Sequence, residues 1–148
     1  MASETAFSGG CLCGRVRFEI RGEIGPFAYC HCTSCQRASG TAFAANAAVR
    51  EVDLKWLSGR DDIVEYESSA GKFRAFCRGC GSPIYARLVA APDWFSIRLG
   101  LIDDDLAHTA TAHFNVSDKA AWFTVTDDLP QYEGDTMESP IERGSGDR

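Results

Sequence analysis

Apolar and polar side chains alternate along most of this chain, which is typical of β-strands with one buried face. The clearest example is residues 15–21, in which Val16, Phe18 and Ile20 alternate with charged side chains. We predict a strand there, with those three side chains facing the core. Shorter strands are predicted at Phe27–Cys30, Ala44–Val49, Leu54–Leu57, Ile63–Glu67, Lys72–Cys77, Ile84–Ala86, Trp94–Leu99 and Thr111–Phe114.

Helical patterns are scarce. One short helix is predicted to begin near Thr33 or Ser34, either of which could cap it, and to end by Gly40. We therefore predict a mainly β fold with little helix. No internal repeat is present, and we predict one domain over residues 1–134. Residues 135–148 are rich in Gly, Ser, Pro and charge, and they are expected to form a mobile tail.

Composition narrows the class of protein. The chain has 148 residues, with 45% hydrophobic and 24% charged side chains, which is ordinary for a globular domain with a core. Its net charge is −6, from 15 basic and 21 acidic residues, so no binding to nucleic acid is expected. The apolar runs are too short to span a membrane, and residues 1–5 do not resemble a secretion signal. A reducing, cytoplasmic location is therefore expected.

All seven cysteines lie in three short clusters. These are Cys11-Leu-Cys13, Cys30-His-Cys32-Thr-Ser-Cys35 and Cys77-Arg-Gly-Cys80. Two cysteines two positions apart on an extended segment share one face, and a Cys-x-x-Cys turn followed by glycine folds both sulfurs inward. Four thiolates close a tetrahedral zinc site, whereas three leave one coordination position open. The count therefore predicts two zinc ions, one structural and one catalytic.

The spacing favours one division of the seven cysteines. The middle cluster, Cys30, Cys32 and Cys35, can supply the three-thiolate site alone. The outer pairs, Cys11 with Cys13 and Cys77 with Cys80, would then form the four-thiolate site, where zinc would close a long loop. A crossed pairing, such as Cys30 and Cys32 with Cys77 and Cys80, is the main alternative.

Other uses of the cysteines fit less well. An odd count and a reducing compartment argue against disulfides. The spacing also matches no common iron–sulfur run. His31 lies between two cysteines, but on an extended segment it would point away from both. We therefore expect it to pack against or support the site rather than ligate metal.

Three motifs resemble one protein family. They are Gly9-Gly-Cys-Leu-Cys-Gly14, Tyr29-Cys-His-Cys-Thr-Ser-Cys-Gln-Arg37 and Phe76-Cys-Arg-Gly-Cys-Gly-Ser-Pro83, in the order found in the glutathione-dependent formaldehyde-activating enzyme family, which includes the centromere protein V domain. Residues 113–122 and 127–134 resemble the C-terminal part of that family. The resemblance implies an Mss4-like small β-sheet domain with zinc-binding hairpins. It also implies structural zinc on the outer cysteine pairs and catalytic zinc on the central three.

The resemblance further implies a carbon–sulfur lyase that joins glutathione and formaldehyde to form S-hydroxymethylglutathione. Arg37 is the candidate contact for a substrate carboxylate, while the Asp103–Asp105 run and the Asp127-Asp128 pair are interpreted as solvated turns. The alternative function is a non-catalytic, zinc-stabilised binding module. An incomplete three-thiolate site favours the enzyme, because a purely structural protein has little use for an open position.

Overall fold

The computed structural model describes residues 6–107, 109–138 and 140. Over these residues the protein is mainly β, with 42% strand, which confirms the predicted fold class. The described strands are β1 (Ala6–Gly10), β2 (Arg17–Arg21), β3 (Phe27–Cys30), β4 (Ala44–Arg50), β5 (Leu54–Ser58), β6 (Ile63–Ser69), β7 (Lys72–Cys77), β8 (Pro83–Leu88), β9 (Trp94–Arg98) and β10 (His113–Phe114). The described α-helix is α1 (Thr33–Ser39), and short 3₁₀ turns lie at Glu51–Asp53, Arg60–Asp62, Leu99–Leu101 and Val116–Asp118.

The described residues fall into two compact units. The first unit comprises Met1–Gly25 and Ala47–Ala107, as far as they are described. It contains a three-stranded antiparallel sheet in the order β1-β2-β5. Val16, Phe18 and Ile20 are buried as predicted, and the Phe18 ring meets Trp56 of β5 edge-on at 5.8 Å. The alternating pattern of β2 therefore supplies the core side of this sheet.

The first unit also contains the strand order β9-β8-β7-β6. Each neighbouring pair is antiparallel. Ala75 of β7, Ile84 of β8 and Ile97 of β9 are buried in this part of the fold. Strands β7 and β8 form an antiparallel hairpin whose register shifts between Ala75 and Phe76, and its tip carries Cys77 and Cys80.

The second unit comprises Pro26–Asn46 and His108–Arg148, as far as they are described. Its strands β3 and β10 pair in parallel, through Tyr29 with His113 and Cys30 with Phe114. Helix α1 follows β3 directly and ends at Gly40, as predicted. This short parallel pair brings the sequence around residue 113 beside the central cysteine cluster.

Most strand predictions agree with the structure to within two residues at each end, but β1 was not predicted. Its sequence, Ala-Phe-Ser-Gly-Gly, lacks the β-branched residues that mark a strand. The small residues are required by packing, since a Cβ at Gly9 would lie 2.6 Å from the Phe18 ring. Strand β10 is also shorter than predicted and starts at His113 rather than Thr111.

The domain boundary at residue 134 and the tail at 135–148 remain predictions. Residues 139 and 141–148 lie outside the described part of the chain. Within the described part, Tyr132 and Pro140 form an isolated antiparallel bridge. None of the described helices is long and apolar enough to cross a membrane.

One ion-pair network joins strands β6 and β8. The Arg87 guanidinium donates to both carboxylate oxygens of Glu65, at 2.8 and 2.7 Å, and the Tyr85 hydroxyl also donates to Glu65. Arg87 also lies over the Phe73 ring at 4.5 Å. The hydrogen bonds from Arg87 lower the pKa of Glu65, despite the opposing effect of burial. The carboxylate is therefore held ionised in the fold.

Replacing Glu65 by glutamine should make stability less dependent on pH. A carboxylate with a lowered pKa stabilises the fold above its unfolded pKa, and this contribution is lost as the pH falls through the folded pKa. We expect Glu65→Gln to cost about 1 kcal/mol at pH 7, because the pair is partly exposed, and clearly less at pH 3.5. Urea unfolding of both proteins between pH 7 and 3 measures this difference. Glu23→Gln, at an exposed position, is the matched control; an equal loss in both variants would contradict the assignment.

Candidate metal centres

Two hairpin tips in the first unit bring four cysteines together. Cys11 and Cys13 lie between β1 and β2, Cys77 is the last residue of β7, and Cys80 lies in the turn between β7 and β8. Their four Sγ atoms all lie within 4.8 Å of one another. The backbone N–H of Leu12 donates to the Ser82 hydroxyl at 3.0 Å, which joins one tip to the other.

The two tips use the same local device. Each cysteine pair is followed by a glycine in the left-handed conformation, Gly14 at φ 82° and Gly81 at φ 78°. The glycine N–H then donates back to the first cysteine of the pair, at 3.2 Å to the Cys11 carbonyl and 2.7 Å to the Cys77 carbonyl. Only glycine takes this conformation without strain, so these turns close tightly and direct the sulfurs to one side.

The sulfur spacing fits a tetrahedral metal ion. The Cys11 and Cys13 Sγ atoms are 3.6 Å apart, and those of Cys13 and Cys77 are 3.8 Å apart. Sulfurs at about 2.3 Å from a tetrahedral zinc ion are separated by about 3.8 Å. This four-cysteine group could hold a metal ion, and its geometry is compatible with zinc.

Hydrogen-bond donors surround the same sulfurs. Backbone N–H groups of Val16 and Gly79 donate to Cys11 and Cys77, each at 3.3 Å. The Ser82 hydroxyl and N–H lower the pKa of Cys80 to about 5. Donors of this kind favour the thiolate form, which is the form that binds metal.

The second unit holds the central cluster at the junction of β3 and α1. Cys30 ends β3, Cys32 is the N-cap of α1, and Cys35 is buried in the first turn of the helix. Their Sγ atoms all lie within 4.8 Å of one another, so this group could also hold a metal ion. The predicted cap, Thr33 or Ser34, was wrong: Cys32 Sγ accepts the N–H of Cys35 at 3.2 Å. The sulfur has taken the capping role that a hydroxyl usually has.

The surroundings of Cys30 disfavour its ionised form. The neighbouring Cys35 thiol, and then burial, raise the pKa of Cys30 well above its ordinary value. A bound divalent cation would remove this conflict between like charges. Among the described residues, no other histidine, cysteine or carboxylate joins this group of three. The crossed pairing of Cys30 and Cys32 with Cys77 and Cys80 does not occur among these groups.

A chain of two imidazoles and a carboxylate lies behind the central cluster. His31 and His113 are fully buried, and His31 Nε2 lies 2.7 Å from His113 Nδ1. His113 Nε2 lies 3.0 and 3.1 Å from the two Asp127 oxygens. Burial lowers the pKa of His31 to about 4, and the neighbouring His113 and Lys119 act in the same direction. His31 is therefore a neutral, packed side chain at neutral pH.

The Asp127 carboxylate determines which imidazole nitrogens of His113 and His31 carry protons. Asp127 accepts from Nε2 of His113, so Nδ1 of a neutral His113 is an acceptor, and Nε2 of His31 donates to it. The Phe43 and Phe123 rings pack against His31 at 5.1 and 6.0 Å. This arrangement orients the loop between Cys30 and Cys32.

Segment 113–118 also forms hydrogen bonds with the central cluster and with α1. The N–H of His31 donates to the Phe114 carbonyl at 2.9 Å. Gln36 Nε2 donates to the carbonyls of His31 and Asp118, each at 2.8 Å, and so ties α1 to this segment. Asn115 Nδ2 donates to Cys30 Sγ at 3.2 Å.

The remaining candidate side chains lie outside the two cysteine groups. Arg37 is exposed on α1, and its predicted contact with a substrate stays a prediction. Asp103 pairs with Arg17 at 2.5 Å, and Asp104 accepts the N–H of Ser8. Asp127 does more than a solvated turn residue would, because it holds His113.

The sequence analysis missed His113, Asn115, Asp127 and Gln36 as parts of the site. Their positions are up to 97 residues from Cys30 along the chain, and no metal-ligand spacing connects them. All four residues lie in segments that resemble the family, and this was the feature of the sequence that could have pointed to them. The resemblance by itself assigned no role to any of the four.

Comparison with known proteins agrees with the cysteine pattern. Residues 6–118 match the family described as glutathione-dependent formaldehyde-activating enzyme. The chain belongs to this family. Curated relatives named putative glutathione-dependent formaldehyde-activating enzyme, from Aspergillus flavus and Aspergillus oryzae, are each 26% identical over 93% of this chain and 65% of their own length. This chain thus spans less than two thirds of those relatives.

Two further matches are more limited. An uncharacterised lyase from Schizosaccharomyces pombe is 27% identical over 53% of this chain and 56% of its own length. A crystal structure of a Rhodobacter sphaeroides protein aligns with a TM-score of 0.56 and 23% identity, covering 68% of this chain and 91% of that one. The structural match shows the fold, and the names of the relatives support an enzyme in general terms.

Removing the Gln36 amide should loosen the central cluster. Gln36→Ala loses the two hydrogen bonds to the carbonyls of His31 and Asp118, and we expect a loss of about 1–2 kcal/mol in the free energy of unfolding. Gln36→Glu should cost more, because a carboxylate would then face two carbonyl oxygens that it cannot donate to. Urea unfolding measures both changes. Gln131→Ala provides a glutamine control outside α1, and full stability of Gln36→Glu would show that the bridge contributes nothing.

Proposed function

We propose that this protein is a zinc-dependent enzyme of the carbon–sulfur lyase type that joins glutathione and formaldehyde to form S-hydroxymethylglutathione. One observation carries the proposal: three cysteine sulfurs converge at the start of α1 without a fourth ligand among the described residues. Four ligands would complete a structural site, whereas three leave a position for a substrate.

The two cysteine groups receive different roles in this proposal. Cys11, Cys13, Cys77 and Cys80 would hold a structural zinc ion that joins two hairpin tips. Cys30, Cys32 and Cys35 would hold the catalytic zinc ion and are the proposed catalytic residues. When bound there, zinc supplies an open coordination position and favours the deprotonated form of a thiol that enters it.

The substrate chemistry follows from the softness of the site. A site rich in thiolates prefers a sulfur ligand to an oxygen ligand, so a small-molecule thiol such as glutathione is the proposed partner. In the reaction the glutathione sulfur bonds to the formaldehyde carbon, the thiol loses its proton, and the carbonyl oxygen gains one. Arg37 lies on the exposed side of the helix that carries Cys35, and it is the proposed contact for a glutathione carboxylate.

The proposal also covers the domain organisation of the chain and its cellular location. We propose that residues 1–134 act as a single zinc-binding catalytic domain. A cytoplasmic location is proposed because free thiolates persist in a reducing compartment.

The two groups should respond differently to loss of one ligand. The intact protein, purified without chelator, should contain two zinc ions per chain. Cys80→Ser should unfold or severely destabilise the protein, because structural zinc contributes on the order of 10 kcal/mol in zinc-finger peptides. Cys35→Ser should leave a folded chain with about one zinc ion fewer. Elemental analysis and thermal unfolding measure both outcomes.

The two variants are matched, because each replaces one cysteine by serine, Cys80 in the four-cysteine group and Cys35 in the central group. One zinc ion per chain, or mainly iron, in the intact protein would contradict the division of the cysteines. Equal early melting of Cys35→Ser and Cys80→Ser would contradict the separate structural and catalytic roles.

Glutathione should bind through its sulfur. Affinity in calorimetry should rise with pH until free glutathione ionises and then level off, because binding releases the thiol proton. S-methylglutathione should bind at least about tenfold more weakly, because a neutral thioether is a poor donor to zinc. Arg37→Ala should weaken binding of glutathione but not of a thiol without carboxylates.

The comparison of ligands also separates the enzyme from the binding module. Equal binding of glutathione and S-methylglutathione, or binding of neither at millimolar concentration, would remove glutathione as the substrate. The zinc-stabilised binding module would then be the better description.

A further inference from the structure

Asn115 has an unusual backbone conformation beside the central cysteines. Its φ and ψ angles, 57° and 39°, are left-handed, and among the described residues no other non-glycine residue has a positive φ. Its N–H donates to the Gly134 carbonyl at 2.8 Å, and its own carbonyl accepts the N–H of Asp118 at 3.0 Å. The conformation is thus held from both sides.

The backbone alone would favour glycine at this position. The left-handed region costs most non-glycine residues about 1–2 kcal/mol, although less for asparagine, and residues held there cluster at functional sites. Asparagine brings one group that glycine lacks, a side-chain amide. That amide donates from Nδ2 to Cys30 Sγ at 3.2 Å. The strained conformation therefore directs a hydrogen-bond donor at one sulfur of the cluster.

The negative charge of three thiolates explains why a hydrogen-bond donor such as the Asn115 amide would stabilise the cluster. Three thiolates carry more negative charge than one divalent cation neutralises, and a fourth thiolate from a substrate would add to the excess. Cys32 Sγ already accepts the N–H of Cys35, and Asn115 supplies the corresponding bond to Cys30. Hydrogen bonds to metal-binding sulfurs reduce the electron density that they donate and orient them.

We propose that Asn115 is a positioning residue for the central metal site: its left-handed backbone holds the side-chain amide against Cys30 and so tunes how strongly that sulfur donates to the metal. The proposal rests on the proposed function, because it assumes that Cys30, Cys32 and Cys35 hold a metal ion.

The principal variant is Asn115→Gly, because glycine keeps the left-handed backbone without strain and removes only the donor. We expect it to fold, with unchanged or higher thermal stability, and to bind two cobalt ions per chain. Its sulfur-to-cobalt charge-transfer band should move to longer wavelength, since an unbonded thiolate gives up electrons more easily. Zinc should be lost from the central site to a coloured chelator about tenfold faster, because the amide no longer holds Cys30 in its orientation.

Ser117→Ala is the matched control for loosening of the same segment. The Ser117 hydroxyl donates to the Glu133 carbonyl at 2.9 Å, next to the bond from Asn115 to Gly134, but it touches no sulfur. We expect its cobalt spectrum and zinc release to match those of the unsubstituted protein. Identical changes in Ser117→Ala and Asn115→Gly would overturn the proposal, as would an unchanged band in Asn115→Gly.

A measurement on the unsubstituted protein tests the bond directly. With cadmium-113 in both sites, a through-bond coupling should connect the metal at the central site to an Asn115 side-chain amide proton. Absence of this coupling would overturn the proposal. Fewer than two metal ions in the unsubstituted protein would contradict the proposed central metal site. Two metal ions without the coupling would contradict only the role of Asn115.

Discussion

Convergence of cysteine thiolates is the interaction on which the rest of this structure depends. If ionised, sulfurs at 3.6 and 3.8 Å would repel one another, and a bound cation would make such a group favourable. In the first unit the four sulfurs come from two hairpin tips separated by more than sixty residues along the chain. A metal ion there would link hairpins of two separate sheets, and its binding energy would be part of the folding energy.

The two cysteine groups are built by different means. The four-cysteine group relies on backbone turns, with Gly14 and Gly81 allowing each pair to close on itself. The central group relies on the end of a strand and the first turn of a helix, where Cys32 replaces the usual capping hydroxyl. The first group offers four sulfurs to one metal ion, as suits a structural site. The second group offers three sulfurs and no fourth ligand among the described residues, as would suit binding of a substrate.

Polar side chains around the central group act mainly on orientation. The neutral His31, held by His113 and Asp127, and the bridging Gln36 keep the loop of residues 30–32 in place. Asn115 differs from these because it touches a sulfur directly. A substrate thiol would therefore meet a site whose geometry is set before it arrives, which reduces the cost of binding.

The sequence by itself determined the β class, the inward face of β2, the short helix and the candidate metal ligands. Those features follow from local rules: side-chain alternation, turn residues and the few spacings at which neighbouring thiols can meet. Tertiary structure decided which distant groups support the ligands. Parallel pairing of β3 with β10 places His113 beside Tyr29 and Asn115 near Cys30, more than eighty residues away along the chain. Tertiary structure also decided that β1 is a strand, because the Phe18 ring leaves no space for a side chain at Gly9. Local patterns carry no information on such contacts, since they arise only when separate segments pack together.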